Sequence, residues 1–135
     1  MWLVTYISTG PTIRVASLPS TAAPSENILL LQHIDRTILE TLRKDRTIEL
    51  VAPSAIAARP SNPYPYFFAE FSADWVLEVQ FSSTSLAYQV ELTLVDARTG
   101  LEITAAHALG SNKADLSAKV ATTLTQTIMD LKTEN

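Results

Sequence analysis

The sequence predicts an α/β fold, a two-layer sandwich in which two long helices cover one face of a mixed sheet of about five strands. The first observation behind this prediction is the order of hydrophobic patterns along the 135 residues. They alternate as β-α-β-short α-β-β-β-α. The second observation is that each long helix, and each of the later strands, has a single apolar face to bury.

The first part of the chain predicts a strand–helix–strand unit. Ile13 to Pro19 alternates and is rich in β-branched residues, which is typical of a strand. After a connection of small residues, Ser25 is the expected N-cap of a helix. The apolar residues at helical spacing are Ile28, Leu31, Ile34, Ile38 and Leu42. The strand Ile48 to Ala52 follows this helix directly, which predicts parallel pairing with the first strand.

The segment before the third strand is the least regular part of the sequence. Ser54 is placed to cap a brief helical turn. Residues 59–66 then contain three prolines, which predict an extended surface loop because proline lacks a backbone N–H. The aromatic residues that end and follow this stretch are expected to bury within the domain. They are Tyr66, Phe67, Phe68 and Phe71.

The second half of the chain predicts an antiparallel meander and a closing helix. Trp75 to Phe81 and Tyr88 to Leu94 alternate apolar and polar residues, so each strand has one solvated face. A turn at residues 96–100 leads to a third strand, Leu101 to Ala105. Ser111 or Asn112 then caps the last helix. Its apolar stripe consists of Leu116, Val120, Leu124, Ile128 and Leu131.

The composition argues against several classes of function. A net charge of −4 and a pI near 5.0 give no basic surface for phosphates, so we expect no direct contact with nucleic acid. The absence of cysteine removes thiolate chemistry and Cys-ligated zinc. The two histidines, His33 and His107, lie on different elements, and the glycines are isolated. We therefore expect no enzyme activity, no metal and no cofactor.

The chain divides into an N-terminal stub, residues 1–11, and a single domain, residues 12–135. The apolar run Met1 to Ile7 is shorter than the roughly 20 residues that span a bilayer. No basic residue precedes it, as one would in a signal peptide. The stub is either an edge strand or the outer end of a membrane segment. We expect no membrane insertion by the domain itself. Tethering of the domain to a membrane through its N-terminus is an alternative that the sequence allows.

Two stretches resemble a known group of bacterial domains. They are residues 72–79, SADWVLEV, and residues 88–102, YQVELTLVDARTGLE. Both resemble the TolB amino-terminal-like group, in which a GADYVL strand precedes a strand that runs into L-x-D-x-x-T-G-E. The group also includes CsgG-like and FlgO-like lipoproteins and modules of CadC-, ToxR- and HilA-type regulators. The Leu18–Thr21 stretch departs from the group's Leu-Pro-Phe motif.

The resemblance implies a noncatalytic interaction or sensory module of the bacterial envelope. The main hypothesis is a periplasmic domain of a membrane-anchored transcriptional regulator. One alternative is an envelope assembly factor, similar to lipoproteins of secretion or cell-wall synthesis. Another is a ligand-binding domain with a pocket beneath Phe67, Phe71 and Trp75.

The expected partner is another protein or a second copy of the chain. Docking would use either the sheet edge, by strand addition, or the proline–tyrosine loop. Aromatic side chains on a proline-stiffened loop lose little entropy when they bind. The candidate partner-binding residues are Pro60, Pro63, Tyr64, Pro65, Tyr66 and Phe68.

Overall fold

The described part of the chain, in a computed structural model, comprises residues 12–23, 27–51 and 63–134. It contains five strands and three helices. They are β1 (Ile13–Ser17), α1 (Ile28–Arg43), β2 (Ile48–Leu50), α2 (Pro63–Phe71), β3 (Trp75–Ser83), β4 (Tyr88–Asp96), β5 (Glu102–Gly110) and α3 (Lys113–Glu134). The N-terminal stub and the predicted helical turn after Ser54 lie outside the described residues.

The five strands form one mixed sheet in the order β2-β1-β3-β4-β5. β1 is parallel to both β2 and β3, with Val15 opposite Leu50 on one side and Trp75 on the other. β3, β4 and β5 are antiparallel to their neighbours. The predicted α/β class, the mixed sheet and the parallel crossover are therefore confirmed.

The two long helices, α1 and α3, pack on the same face of the sheet, as the sequence predicts. We call the apolar cluster between them and the sheet the main core. Its helix residues are Leu30, Ile34, Ile38, Leu42, Leu116, Val120, Leu124 and Ile128. Ile28, predicted to lie on this stripe, is 66% exposed. It lies two residues before Leu30, which places it about 200° around the helix from the buried stripe.

The other face of the sheet is not entirely solvated, which corrects the expectation of one wet face. Val76 lies between two residues of β3 that face the helices, so its side chain points the opposite way. There the short helix α2 packs over a smaller cluster, which we call the second core. It contains Ala16, Leu18, Val51, Phe67, Ala73, Val76 and Ala97. The rest of this face, beyond α2, is called the open face below.

The extended loop predicted at residues 59–66 is wrong for residues 63–66, which open helix α2. Pro63 and Pro65 lie in its first turn, where backbone N–H groups have no partner within the helix, so proline costs little there. The helix ends at Phe71, and the next residue, Ser72, has a left-handed φ of 54°. The Ser72 N–H donates to the Phe68 carbonyl at 3.0 Å. Pro60 lies outside the described residues.

The helix caps agree only in part with the sequence. Asn27, rather than Ser25, caps α1, since its side chain accepts a hydrogen bond from the Leu29 N–H at 2.9 Å. Asn112 caps α3 by accepting from the Asp115 N–H at 2.9 Å, as predicted.

Strand β5 runs to Gly110, five residues beyond the predicted end at Ala105. Residues 105–109 carry no β-branched side chain, so their sequence gives little sign of a strand. They pair with β4 nevertheless, with Glu91 opposite His107 and Gln89 opposite Leu109. Pairing with a neighbour therefore outweighs local propensity here.

Candidate interaction surface

Beside the open face, α2 carries an exposed aromatic side chain under a guanidinium group. Phe68, on α2, is 38% exposed, and the guanidinium carbon of Arg98 lies 5.2 Å from its ring centre. Arg98 belongs to the turn between β4 and β5. The Asp96 carboxylate holds this turn by accepting from the Arg98 N–H at 2.8 Å. The geometry is that of a cation–π pair on two rigid elements.

Gly100 closes the same turn with a φ of 76°, a conformation that favours glycine. Its amide donates to the Asp96 carbonyl at 2.8 Å. A Cβ atom at Gly100 would lie 3.6 Å from the Tyr64 ring, so the turn and α2 are in contact. The next residue, Leu101, is 68% exposed and lies beside this end of the sheet.

Tyr64 and Tyr66, both predicted to bind a partner, are half-buried. The Tyr64 hydroxyl donates to Glu78 Oε2 at 2.8 Å. The Tyr66 ring makes edge-to-face contacts with Phe67 and Phe71, with ring centres 5.3 and 5.7 Å apart. Both tyrosines therefore stabilise α2 on the sheet. A role for either of them in partner binding stays a prediction.

The structure separates the three residues proposed to line a ligand pocket. Phe67 is fully buried in the second core, where its ring centre lies 6.2 Å from that of Phe71. Trp75 packs against the main core instead. Phe67 and Phe71 lie on the side of the sheet that α2 covers, and Trp75 lies on the opposite side. The three side chains therefore do not share one cavity.

The open face contains a polar groove of about 310 Å³. Carboxylates of Glu78, Glu91 and Glu102 line it, together with Gln80 and Thr93. His107 lies next to this groove. Its Nε2 atom is 2.9 Å from Glu91 Oε2, across the β4–β5 pair.

A second groove, of about 730 Å³, lies on the covered face between the end of α1 and α3. Beside it, the Lys132 ammonium donates to Asp45 Oδ2 at 2.8 Å, and the Thr47 hydroxyl donates to Asp45 Oδ1 at 2.6 Å. Partial burial, the largest single influence, raises the pKa of Asp45. The hydrogen bonds from Lys132 and Thr47 outweigh it, and the pKa lies below its ordinary value.

No described helix is long and apolar enough to cross a membrane. Among the residues that the structure describes, no three His, Asp or Glu side chains are arranged so that they could hold a metal ion, including those of the polar groove. His33 lies on α1, and no ion pair or hydrogen bond joins it to His107. Sequence reasoning missed the length of the exposed outer strand β5, because residues 105–109 lack the β-branched side chains that identify a strand.

Comparisons with known proteins relate the chain to other proteins only through its fold. No family model and no curated protein sequence matches it. Among solved structures, the LpoB C-terminal domain from Escherichia coli matches with a TM-score of 0.60 and 16% identity, over 77% of this chain and 85% of that chain. Lipoprotein GNA1162 from Neisseria meningitidis matches with a TM-score of 0.58 and 13% identity, over 73% and 80%.

TolB from Acinetobacter baumannii matches with a TM-score of 0.53 and 11% identity, over 73% of this chain and 23% of that chain. The resemblance to a TolB-like domain is therefore confirmed as a likeness of fold. At such identities the similarity concerns architecture alone.

Proposed function

We propose that the chain is a noncatalytic, periplasmic interaction domain that serves as an envelope assembly factor. The observation that carries this proposal is the fold it shares with the LpoB C-terminal domain and a neisserial lipoprotein. The TolB-like sequence stretches, residues 72–79 and 88–102, support the same group.

We favour the assembly-factor alternative over the hypothesis of a regulator domain. A lipoprotein is among the matching folds, whereas none of the structures named above is a regulator domain. The sensory role and the regulator's tether therefore have less support than docking to an envelope protein.

The surface proposed to dock a protein partner centres on Phe68 and Arg98, with Leu101 beside them. Aromatic and arginine side chains contribute strongly at interfaces. Both residues are held by rigid elements, a helix and a hydrogen-bonded turn, so little conformational entropy would be lost on binding. In this proposal Tyr64 and Tyr66 position the surface, and Phe68 touches the partner.

The localisation is tested in the organism that carries the gene, with an alkaline phosphatase reporter fused to the C-terminus of the protein and expressed from the native locus. This enzyme is active only after export, because its disulfides form in an oxidising compartment. We expect phosphatase activity in intact cells. An inactive, full-length fusion in the cytoplasmic fraction would contradict the proposal.

The docking surface is tested by placing a photo-crosslinking amino acid at Phe68 in the same strain. Gln32, exposed on the outer side of α1, is the matched control position. Irradiation should give one discrete adduct in the envelope fraction from Phe68 and none from Gln32. Equal labelling at both positions, or no adduct at Phe68, would refute this surface.

A further inference from the structure

The two edges of the sheet differ in how open they are to another strand. β2 forms one edge with three residues, while β5 forms the other with nine. An edge strand presents unpaired backbone groups, and proteins commonly block it with lysine, proline or a short length. β5 carries neither lysine nor proline. The sheet is therefore open to extension along β5 beyond the bulge at Glu102 and Ile103.

The apolar side chains of β5 are arranged so that the strand can pair with its own copy. Ile103 and Leu109 are 36% and 55% exposed on the open face, and each lies three residues from Ala106. In an antiparallel pair with Ala106 opposite its counterpart, Ile103 lies opposite Leu109 of the second copy. Ala105 then lies opposite His107, so the two His107 side chains do not face each other.

The bounds of β5 support this choice of centre, because the strand extends from Glu102 to Gly110 and its midpoint is Ala106. The β4–β5 register shifts between Leu94 and Val95, so Glu102 and Ile103 together face one residue of β4. Regular pairing with β4 extends from Thr104 to Gly110, and Ile103 is the extra residue of the bulge.

An antiparallel pair of identical strands centred on Ala106 has a two-fold axis at that residue. The charges on α3 fit this axis. The N-terminal turn of α3 closely approaches the end of β5, since a Cβ atom on Gly110 would lie 2.5 Å from the Leu116 Cα. Ala106 lies about 13 Å back along the strand, which corresponds to about nine helical residues beyond Leu116. The axis through Ala106 therefore passes level with Thr125.

A two-fold axis at Thr125 brings Lys119 of one copy close to Asp130 of the other, twice. Both side chains are exposed, and neither lines the groove between α1 and α3. They are eleven residues apart, three helical turns, so they lie along one line of the helix. Within one copy, Lys119 contacts Asp115 only loosely, at 3.5 Å, so it can reach a further carboxylate.

We infer that the partner at the β5 edge is a second copy of this chain, joined in an antiparallel pair centred on Ala106 to form a ten-stranded sheet. Strands in such a pair are about 4.8 Å apart, and packed helices 8–10 Å apart. This spacing requires the axis of α3 to lie slightly inward of β5. α3 packs mainly over β5 and also contacts β4 and α1. The inference rests on the proposed interaction role only in that self-association is one form of docking.

The first test is the mass in solution of the full chain, measured by light scattering over a roughly hundredfold range of concentration. We expect a dimer at the upper end. Leu109→Lys places a charge on the pairing surface and should give a folded monomer. Leu86→Lys, at a leucine that is 88% exposed in the β3–β4 turn, is the matched control and should stay dimeric.

The register is tested with two cysteines in a chain that otherwise has none. Ala105→Cys with His107→Cys should give a disulfide-linked dimer on mild oxidation, because the two positions face each other across the axis. Either cysteine alone should cross-link poorly. Lys119→Asp or Asp130→Lys alone should weaken the dimer about two- to fivefold, and the double reversal should restore it.

Two outcomes overturn the inference: a parent chain that is monomeric throughout, or a Leu109→Lys variant as dimeric as the parent. Efficient cross-linking by a single cysteine would overturn the Ala106 register. These results are independent of the crosslink at Phe68. Loss of that crosslink with an intact dimer would refute the docking proposal instead.

Discussion

The two faces of the sheet are covered by helices of very different length. α1 and α3, of 16 and 22 residues, enclose one face over an aliphatic core. α2, of nine residues, covers only part of the other face and does so largely with aromatic rings. Covering one face completely stabilises the fold and leaves part of the other free for contacts. The incompletely covered face is therefore the one with side chains available to a partner.

Adjacent residues of β3 connect the two faces. Val76 belongs to the second core and Leu77 to the main core, and neither is exposed. Because side chains alternate along a strand, β3 contributes buried side chains to both cores. The two faces therefore differ in how much of them the helices cover, but both cores pack on the same strand.

The largest expected effect comes from emptying the second core. Phe67→Ala should lower the free energy of unfolding by about 3–5 kcal/mol, because it removes the largest fully buried side chain in the described part of the chain. Urea unfolding measures this loss. Ile34→Ala, in the main core, is the reference and should cost about 2–5 kcal/mol.

Amide hydrogen exchange separates these two variants. Phe67→Ala should loosen α2 while β4 and β5 stay protected, and Ile34→Ala should lower protection on both. Equal loosening of β4 and β5 in the two variants would show that the faces do not differ in their share of the stability.

A smaller effect is expected from the hydrogen bond that joins α2 to the open face. Tyr64→Phe removes the donor to Glu78 and should cost about 1 kcal/mol in the free energy of unfolding. Tyr88→Phe is the control, because its ring, stacked 5.9 Å from Phe81, packs against the main core. It should change stability less. The reverse order, measured by thermal unfolding, would contradict the assignment of Tyr64 to the support of α2.

The smallest effect is expected at the margin of the covered face and depends on pH. The pKa of Asp45 in the folded state lies below its ordinary value of 3.8, so its pair with Lys132 stabilises the fold above that pH. The contribution is lost as pH falls through the folded-state pKa. Lys132→Met should therefore cost about 0.5–1 kcal/mol at neutral pH and progressively less below 3.8.

Denaturant midpoints at neutral pH and in acid measure this difference. Asp35 has the opposite sign, because burial raises its pKa against hydrogen bonds from Ser20, so its ionisation weakens the fold as pH rises. The parent and the Lys132→Met variant both carry Asp35, so its effect on stability cancels in the comparison between them. A deficit in Lys132→Met that is equal at both pH values would rule out the pair with Asp45 as its cause.

Sequence periodicity predicted the parts of the fold in which one strong pattern dominates. The stripes on α1 and α3 and the alternation of β3 and β4 are long enough to identify both element type and buried face. Val76 escaped notice because a single apolar residue on a polar face looks like an exception. The second core only becomes visible when Val76 meets Phe67 and Ala97 in three dimensions.

Two elements were missed for local reasons. The prolines at 63 and 65 suggested a loop because their position relative to the helix start cannot be read from composition. The end of β5 lacked strand-forming side chains and depends on β4 for its conformation. The candidate surface near Phe68 stays a prediction, and the partial burial of Tyr64 and Tyr66 depends on contacts that form only in the folded chain, which composition does not reveal.

The seam between β1 and β3 has a consequence for how the chain folds. The amide of Arg14 donates to Asp74 Oδ2 at 2.9 Å, and the amide of Asp74 donates back to the Arg14 carbonyl at 2.8 Å, across 60 residues. β3, β4, β5 and α3 are consecutive, so their contacts close over short loops. During synthesis on the ribosome β1 emerges before β3, so the hydrogen bonds between them can form only after β3 has also emerged. The parallel half of the sheet is thus expected to form last, on a preformed antiparallel template.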